Sequence, residues 1–163
     1  MRNEHLALSK LLGAIEAGNL NEVMQLAMRN ASIVNARSED GRSPLETAVF
    51  ENQFDIAAFL LKEGADVNSR DERGWTPLQE ATYNSTLEMT SLLISYGAEV
   101  NSRDNHARTP LHYAAEDGFE DIVKILLKTG ADPGVRDASG QTPLDRARAE
   151  EKSEVVAILL SHQ

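Results

Sequence analysis

Apolar positions in this chain fall into blocks that return at a fixed interval. Ile56, Phe59, Leu60 and Leu61 share one face of a helix at i, i+3 and i+4 spacing. Met89, Leu92, Leu93 and Ile94 repeat the block 33 residues on, and Ile122, Ile125, Leu126 and Leu127 repeat it again. A shorter apolar segment precedes each block, starting at Leu45, Leu78 and Leu111, with a fourth copy at Leu144. Ala48, Ala81, Ala114 and Ala147 follow one turn later, and a small residue there lets neighbouring helices approach closely. The pattern predicts pairs of helices, a short one and then a longer one.

The polar residues between these blocks mark where each helix starts and stops. Ser43, Thr76, Thr109 and Thr142 are N-caps, each followed by a proline that starts a helix without losing a hydrogen bond. Glu46 and Gln79, three residues after their caps, can close a capping box, and His112 and Asp145 are variants of it. Gly118 suits the tight turn between the two helices, as do Asn52 and Ser85 at the equivalent places. Gly64, Gly97 and Gly130 close the second helices. A loop of about ten residues then leads to the next unit.

The ends depart from this grammar. Ser9 to Ala14 overlays Thr109 to Ala114, with one extra residue near Asn30 to Ile33 and no Gly-Ala-Asp. The last unit has a highly charged first helix carrying Asp145, Arg146, Arg148, Glu150, Glu151 and Lys152. Both features fit capping repeats, because a terminal unit lacks one neighbour to bury. A fixed period of this length signals stacked repeats sharing a ribbon-like core. The expectation is one all-α domain over residues 1–163, in units of roughly 5–38, 39–71, 72–104, 105–137 and 138–163.

Thr109-Pro110-Leu111-His112-Tyr113-Ala114, together with the 33-residue period, resembles the ankyrin repeat. Gly64-Ala65-Asp66, Gly97-Ala98-Glu99 and Gly130-Ala131-Asp132 look like that family's loop motif. The resemblance implies a solenoid of antiparallel helix pairs with projecting hairpin-like loops, binding other proteins through loop tips and first helices on a concave face. Asn68 and Asn101 also look like sites hydroxylated by asparaginyl hydroxylases in animal ankyrin proteins. Unmodified, such loop asparagines are expected to bond their own backbone.

Composition narrows the function. A net charge of −10 disfavours nucleic acid and anionic membranes, which would repel the chain. The absence of cysteine excludes disulfides, thiol catalysis and thiolate zinc sites. The N-terminus lacks the apolar core of a secretion signal, so the expected location is cytoplasmic, or nuclear in a eukaryote. No Walker loop, G-x-S-x-G or G-x-G-x-x-G occurs, and the four histidines form no metal motif. The chain is expected to be a non-enzymatic monomer without cofactor or metal.

By the resemblance, the loop tips include Arg37, Glu39, Asp40, Arg42, Arg70, Arg73, Trp75, Arg103, His106, Arg108 and Arg136. Phe50, Tyr83, Tyr113 and Glu116 are among the exposed first-helix positions it implies. Trp, Tyr and Arg are enriched at binding hot spots, so Arg42, Phe50, Arg73, Trp75, Tyr83, His106, Arg108 and Tyr113 are the candidate partner-binding residues. Arg37, Arg70, Arg103 and Arg136 recur at 33 residues, which fits ion pairing between loops with Asp71, Asp104 and Asp137 as much as recognition. The expected function is a scaffold, adaptor or regulator that binds an acidic and apolar segment of another protein. A substrate of asparaginyl hydroxylation and a non-catalytic regulatory subunit of an enzyme are the alternatives.

Overall fold

A computed structural model describes residues 2–39 and 41–162, with side chains described from His5 onward. Asp40, one of the expected loop-tip positions, lies outside the described residues. The described residues form ten α-helices, one short 3-10 helix (Ala31–Asn35) and no strand. The inner helices are α1 (Arg2–Glu16), α3 (Pro44–Phe50), α5 (Pro77–Tyr83), α7 (Pro110–Asp117) and α9 (Pro143–Ala149). Each is paired with an outer helix: α2 (Leu20–Arg29), α4 (Phe54–Lys62), α6 (Leu87–Ser95), α8 (Glu120–Lys128) and α10 (Ser153–Leu160). Each inner helix packs on the next inner helix, and each outer helix on the next outer one. The fold is an all-α solenoid, as the 33-residue period requires.

Local chemistry sets the helix boundaries. Capping boxes start α3, α5, α7 and α9, and Ser43 N–H donates to Glu46 Oε2 at 2.9 Å in the first of them. The turn within each pair needs one left-handed residue, and Gly18, Asn52, Ser85, Gly118 and Glu151 supply it at φ between 53° and 84°. The next N–H closes the turn on an alanine carbonyl, as Gln53 does to Ala48 at 2.8 Å and Phe119 to Ala114 at 2.9 Å. Gly64, Gly97 and Gly130 end the outer helices in the same left-handed region. The first unit has no such glycine. Its extra residue is taken up by the 3-10 helix, which buries Ile33 and Val34.

Leu11, Leu45, Leu78 and Leu111 form a fully buried column along the inner helices, with Ala48, Ala81, Ala114 and Ala147 beside them. Ile56, Leu60, Met89, Leu93, Ile122 and Leu126 close the core from the outer helices. Truncating one of these leucines to alanine costs about 2–5 kcal/mol, so this ribbon carries most of the stability.

Side-chain ladders tie one unit to the next. The Asn35, Asn68 and Asn101 amides each accept an N–H from the next unit, from Asp66, Glu99 and Asp132, at 2.8 Å. The same amides donate to the carbonyls of Gly64, Gly97 and Gly130 at 2.9, 3.3 and 2.9 Å. The sequence expectation that Asn68 and Asn101 bond their own backbone is therefore corrected. Their side chains join neighbouring units, because stacking brings the following glycine turn within reach.

Candidate partner-binding site

The loops between units close as small hairpin-like turns, in which the N–H of Asp71, Asp104 and Asp137 bonds the carbonyl four residues on. Each aspartate also organises its loop with one carboxylate oxygen. Asp71 Oδ1 accepts from the Arg73 and Trp75 N–H groups, both at 2.9 Å. Asp104 does the same for His106 and Arg108, and Asp137 for Ser139 and Gln141. The second oxygen meets a side chain: Arg73 at 2.7 Å for Asp71, the Tyr113 hydroxyl for Asp104, and Arg146 at 3.0 Å for Asp137.

The recurring arginines do something other than pair with these aspartates. Arg37 donates to the carbonyls of Gly41 and Arg70 at 2.6 and 2.9 Å. Arg70 donates to Gly74 and Arg103, Arg103 to Ala107 and Arg136, and Arg136 to Gly140. Each guanidinium staples its own loop, and the first three also reach the next one. Loop-to-loop ion pairs with Asp71, Asp104 and Asp137 do not form, because those carboxylates face the other side of the turn. Arg37 does come within 3.7 Å of Glu46, and Arg70 within 4.0 Å of Glu99, in the following unit.

Seven of the eight candidate residues make ring or ring–guanidinium contacts, in a group of two and a group of five. Arg42 lies over the Phe50 ring at 4.6 Å, Arg73 over Trp75 at 4.4 Å, and Arg108 over Tyr113 at 4.2 Å. Trp75 packs against Tyr83 and Tyr113 with ring centroids 5.4 and 5.0 Å apart, and Tyr83 meets Tyr113 edge-on at 6.2 Å. Such contacts hold rings in fixed positions and contribute about 0.5–1.5 kcal/mol each beyond area burial. His106 does not join them. Its backbone bonds Asp104 and Ala138 at the loop tip, and its ring makes no side-chain hydrogen bond among the described residues.

Exposure separates these residues. Phe50 is 46% exposed and Tyr83 53%, whereas Tyr113 is 5% exposed. The expectation that Tyr113 is an exposed first-helix position is thus corrected: Trp75 and Arg108 cover it, and its hydroxyl bonds Asp104. Burial raises the Tyr113 pKa well above that of an ordinary phenol, and Asp104 beside it adds to the effect.

Sequence reasoning missed Glu80 and Arg146. Glu80 pairs with Arg73 at 3.3 Å, and Arg146 pairs with Glu116, which also holds Arg108. Both occupy the Tyr113 position in the 33-residue register, and that equivalence was the signal available. Burial opposes ionisation of Asp137, but its bonds from Arg146 and from the Gln141 and Ser139 backbone keep its carboxyl below the usual range. Arg73, Arg108 and Arg146 are therefore each paired with a carboxylate within the molecule.

The recess among Arg42, Glu46, Phe50, Trp75 and Glu80 holds about 10 Å³, room for about one water. The face is otherwise a set of fixed rings and ion pairs suited to contact with a larger surface. No helix among the described residues is long and apolar enough to cross a membrane. A family model described as ankyrin repeats matches the chain in three overlapping copies, over residues 5–71, 64–137 and 105–163. A search of curated proteins finds no match.

Proposed function

The chain belongs to the ankyrin repeat family, whose members are generally protein–protein interaction modules, and we propose that it binds a partner protein on the face formed by its inner helices and loops. In this reading it acts as a scaffold, adaptor or regulator. The observation that carries the reading is the pair Phe50 and Tyr83, which stay about half exposed while Arg42, Trp75 and Tyr113 fix their rings. Rigid aromatic groups lose little entropy on binding, and the ion pairs around them need no rearrangement.

The geometry does not favour the reading of Asn68 and Asn101 as hydroxylation sites. Both amides hold the next unit by two hydrogen bonds each, a structural role that accounts for their recurrence.

Photo-crosslinking in the source cell tests the proposal. A photoreactive side chain replaces Tyr83 in one variant and Tyr96, a comparably exposed ring on the outer helices, in another. A discrete protein adduct from position 83 and none from position 96 is the expected result. Adducts from position 96 alone would place the docking surface on the opposite face.

A further inference from the structure

We propose that the partner segment is basic, with lysine or arginine side chains flanking a pair of apolar or aromatic ones. This rests on the inner-helix face being the docking surface and adds the chemistry of what docks there. Equivalent positions at the C-terminal ends of the five inner helices read Glu16, Phe50, Tyr83, Glu116 and Ala149. The rim immediately beyond reads Ala17, Glu51, Asn84, Asp117 and Glu150. Carboxylates therefore flank the two aromatic residues, Glu16 and Glu51 on one side and Glu116 and Asp117 on the other.

Glu116 holds Arg108 and Arg146, but the architecture does not call for the other carboxylates. Carboxylates at helix C-termini oppose the helix dipole, whose negative end already lies there. The last turns of α1, α3, α5 and α7 contain no basic residue among them, whereas that of α9 carries Arg146 and Arg148. Burial raises the pKa of Asp117, and Glu116 beside it adds to the effect, even with Lys152 nearby. Arg73, Arg108 and Arg146 of the same face are already paired with Asp71, Glu80, Glu116 and Asp137. An added cation would gain from this field, and an acidic segment would meet repulsion from a chain of net charge −10.

A second feature fits the same occupant. A groove of about 690 Å³ lies between α1 and the first loop, lined in part by Leu8, Leu12, Gly13, Glu16 and Glu39. Gly13 sits inside a 15-residue helix, and a methyl group added there would meet nothing within 4 Å. Alanine would make a better helix at this position, so packing does not explain the glycine. The equivalent residues in the other units are Thr47, Glu80, Tyr113 and Arg146, all larger than glycine. The missing side chain leaves an apolar floor beside a carboxylate. Glu16 has no cationic partner among the described residues, while Glu39 is 3.0 Å from His5. The aliphatic stem of a lysine can lie on Leu12 and Gly13 with its ammonium group at Glu16.

The test uses the full chain and an array of synthetic twelve-residue peptides. Each peptide carries a Leu-Phe pair flanked, at varied spacing, by lysine or arginine or by aspartate or glutamate. The tightest binder is then measured by fluorescence anisotropy against four folded variants. The expected binder is basic, weakened at least tenfold by Glu16→Lys with Glu51→Lys and by Gly13→Met. It is weakened less than twofold by Glu63→Lys with Glu88→Lys, which changes net charge equally on the outer helices. Retention of acidic peptides, retention of none, or equal losses from both charge reversals would overturn the proposal. If Phe50→Ala with Tyr83→Ala abolishes peptide binding while the Glu16 and Glu51 changes do not, the docking face stands and its charge preference falls. If neither pair of changes matters, both fall.

Discussion

Gln79 donates its side-chain amide to the carbonyl of Arg108, 2.9 Å away and one unit further along the stack. His112 makes the same bond to Gln141 at 3.1 Å, with its other ring nitrogen accepting the Thr109 N–H. This pairing assigns the proton of His112 to Nε2. In these two units the capping-box residue thus also holds the following loop.

Glu46 occupies the equivalent place but cannot donate to the counterpart carbonyl, that of Trp75. Its Oε2 serves the Ser43 cap, while Oε1 is buried without a hydrogen bond, 3.7 Å from Arg37. Glu46→Gln supplies the missing donor and is expected to stabilise the fold by about 1 kcal/mol. Urea denaturation checks this through a higher midpoint at unchanged slope.

His112 also sets a pH dependence. Burial lowers its pKa below the ordinary histidine value of 6.5, despite the favourable bond to Gln141. The unfolded chain therefore binds the proton more readily, so stability is full above about pH 6.5 and falls as pH drops below it. His112→Gln should flatten the melting temperature between pH 7 and 5 relative to the parent. Identical slopes for the two proteins would sink the idea.

Ala107 sits at φ 58°, where the equivalent turns have Gly41, Gly74 and Gly140. An alanine in the left-handed region costs about 1–2 kcal/mol, part of which glycine returns as chain entropy. Ala107→Gly is expected to raise stability by about 0.5–1 kcal/mol in the same titration. Gly74→Ala should be destabilising, since its methyl group would lie 2.6 Å from Asn105 Oδ1.

The period located the caps, turns, core leucines and helix pairs, because each depends on residues close in sequence or repeated in every unit. It could not say how residues at non-equivalent positions meet across the stack. Tyr113 is buried because Trp75 comes from the preceding unit and Arg108 from its own loop. The recurring arginines bond carbonyls because the next loop presents C=O groups to them while the aspartates turn away. Glu80 and Arg146 became visible as site residues only once Arg73, Asp137 and Glu116 stood beside them.

Tyr113 and Tyr83 should respond differently to truncation. Tyr113→Phe leaves the Asp104 carboxylate short of a donor in a buried place, an expected loss of about 1–3 kcal/mol. Tyr83→Ala removes a half-exposed ring and should cost less than about 1.5 kcal/mol, the range of one aromatic pair. Thermal melts of the two variants side by side provide the check. A larger loss for Tyr83→Ala would make that ring part of the core.

The most direct test of the docking face is the affinity of the crosslinked partner for two double variants. Phe50→Ala with Tyr83→Ala removes the exposed rings of the inner helices, and Phe54→Ala with Tyr96→Ala removes comparable rings from the outer ones. Loss of a hot-spot residue exceeds about 1 kcal/mol, so the first pair should weaken binding by roughly thirtyfold or more while the protein stays folded. The second pair should change it less than about twofold. Equal affinities for the parent and the first variant, or a loss confined to the second, would contradict a partner held on the inner-helix face.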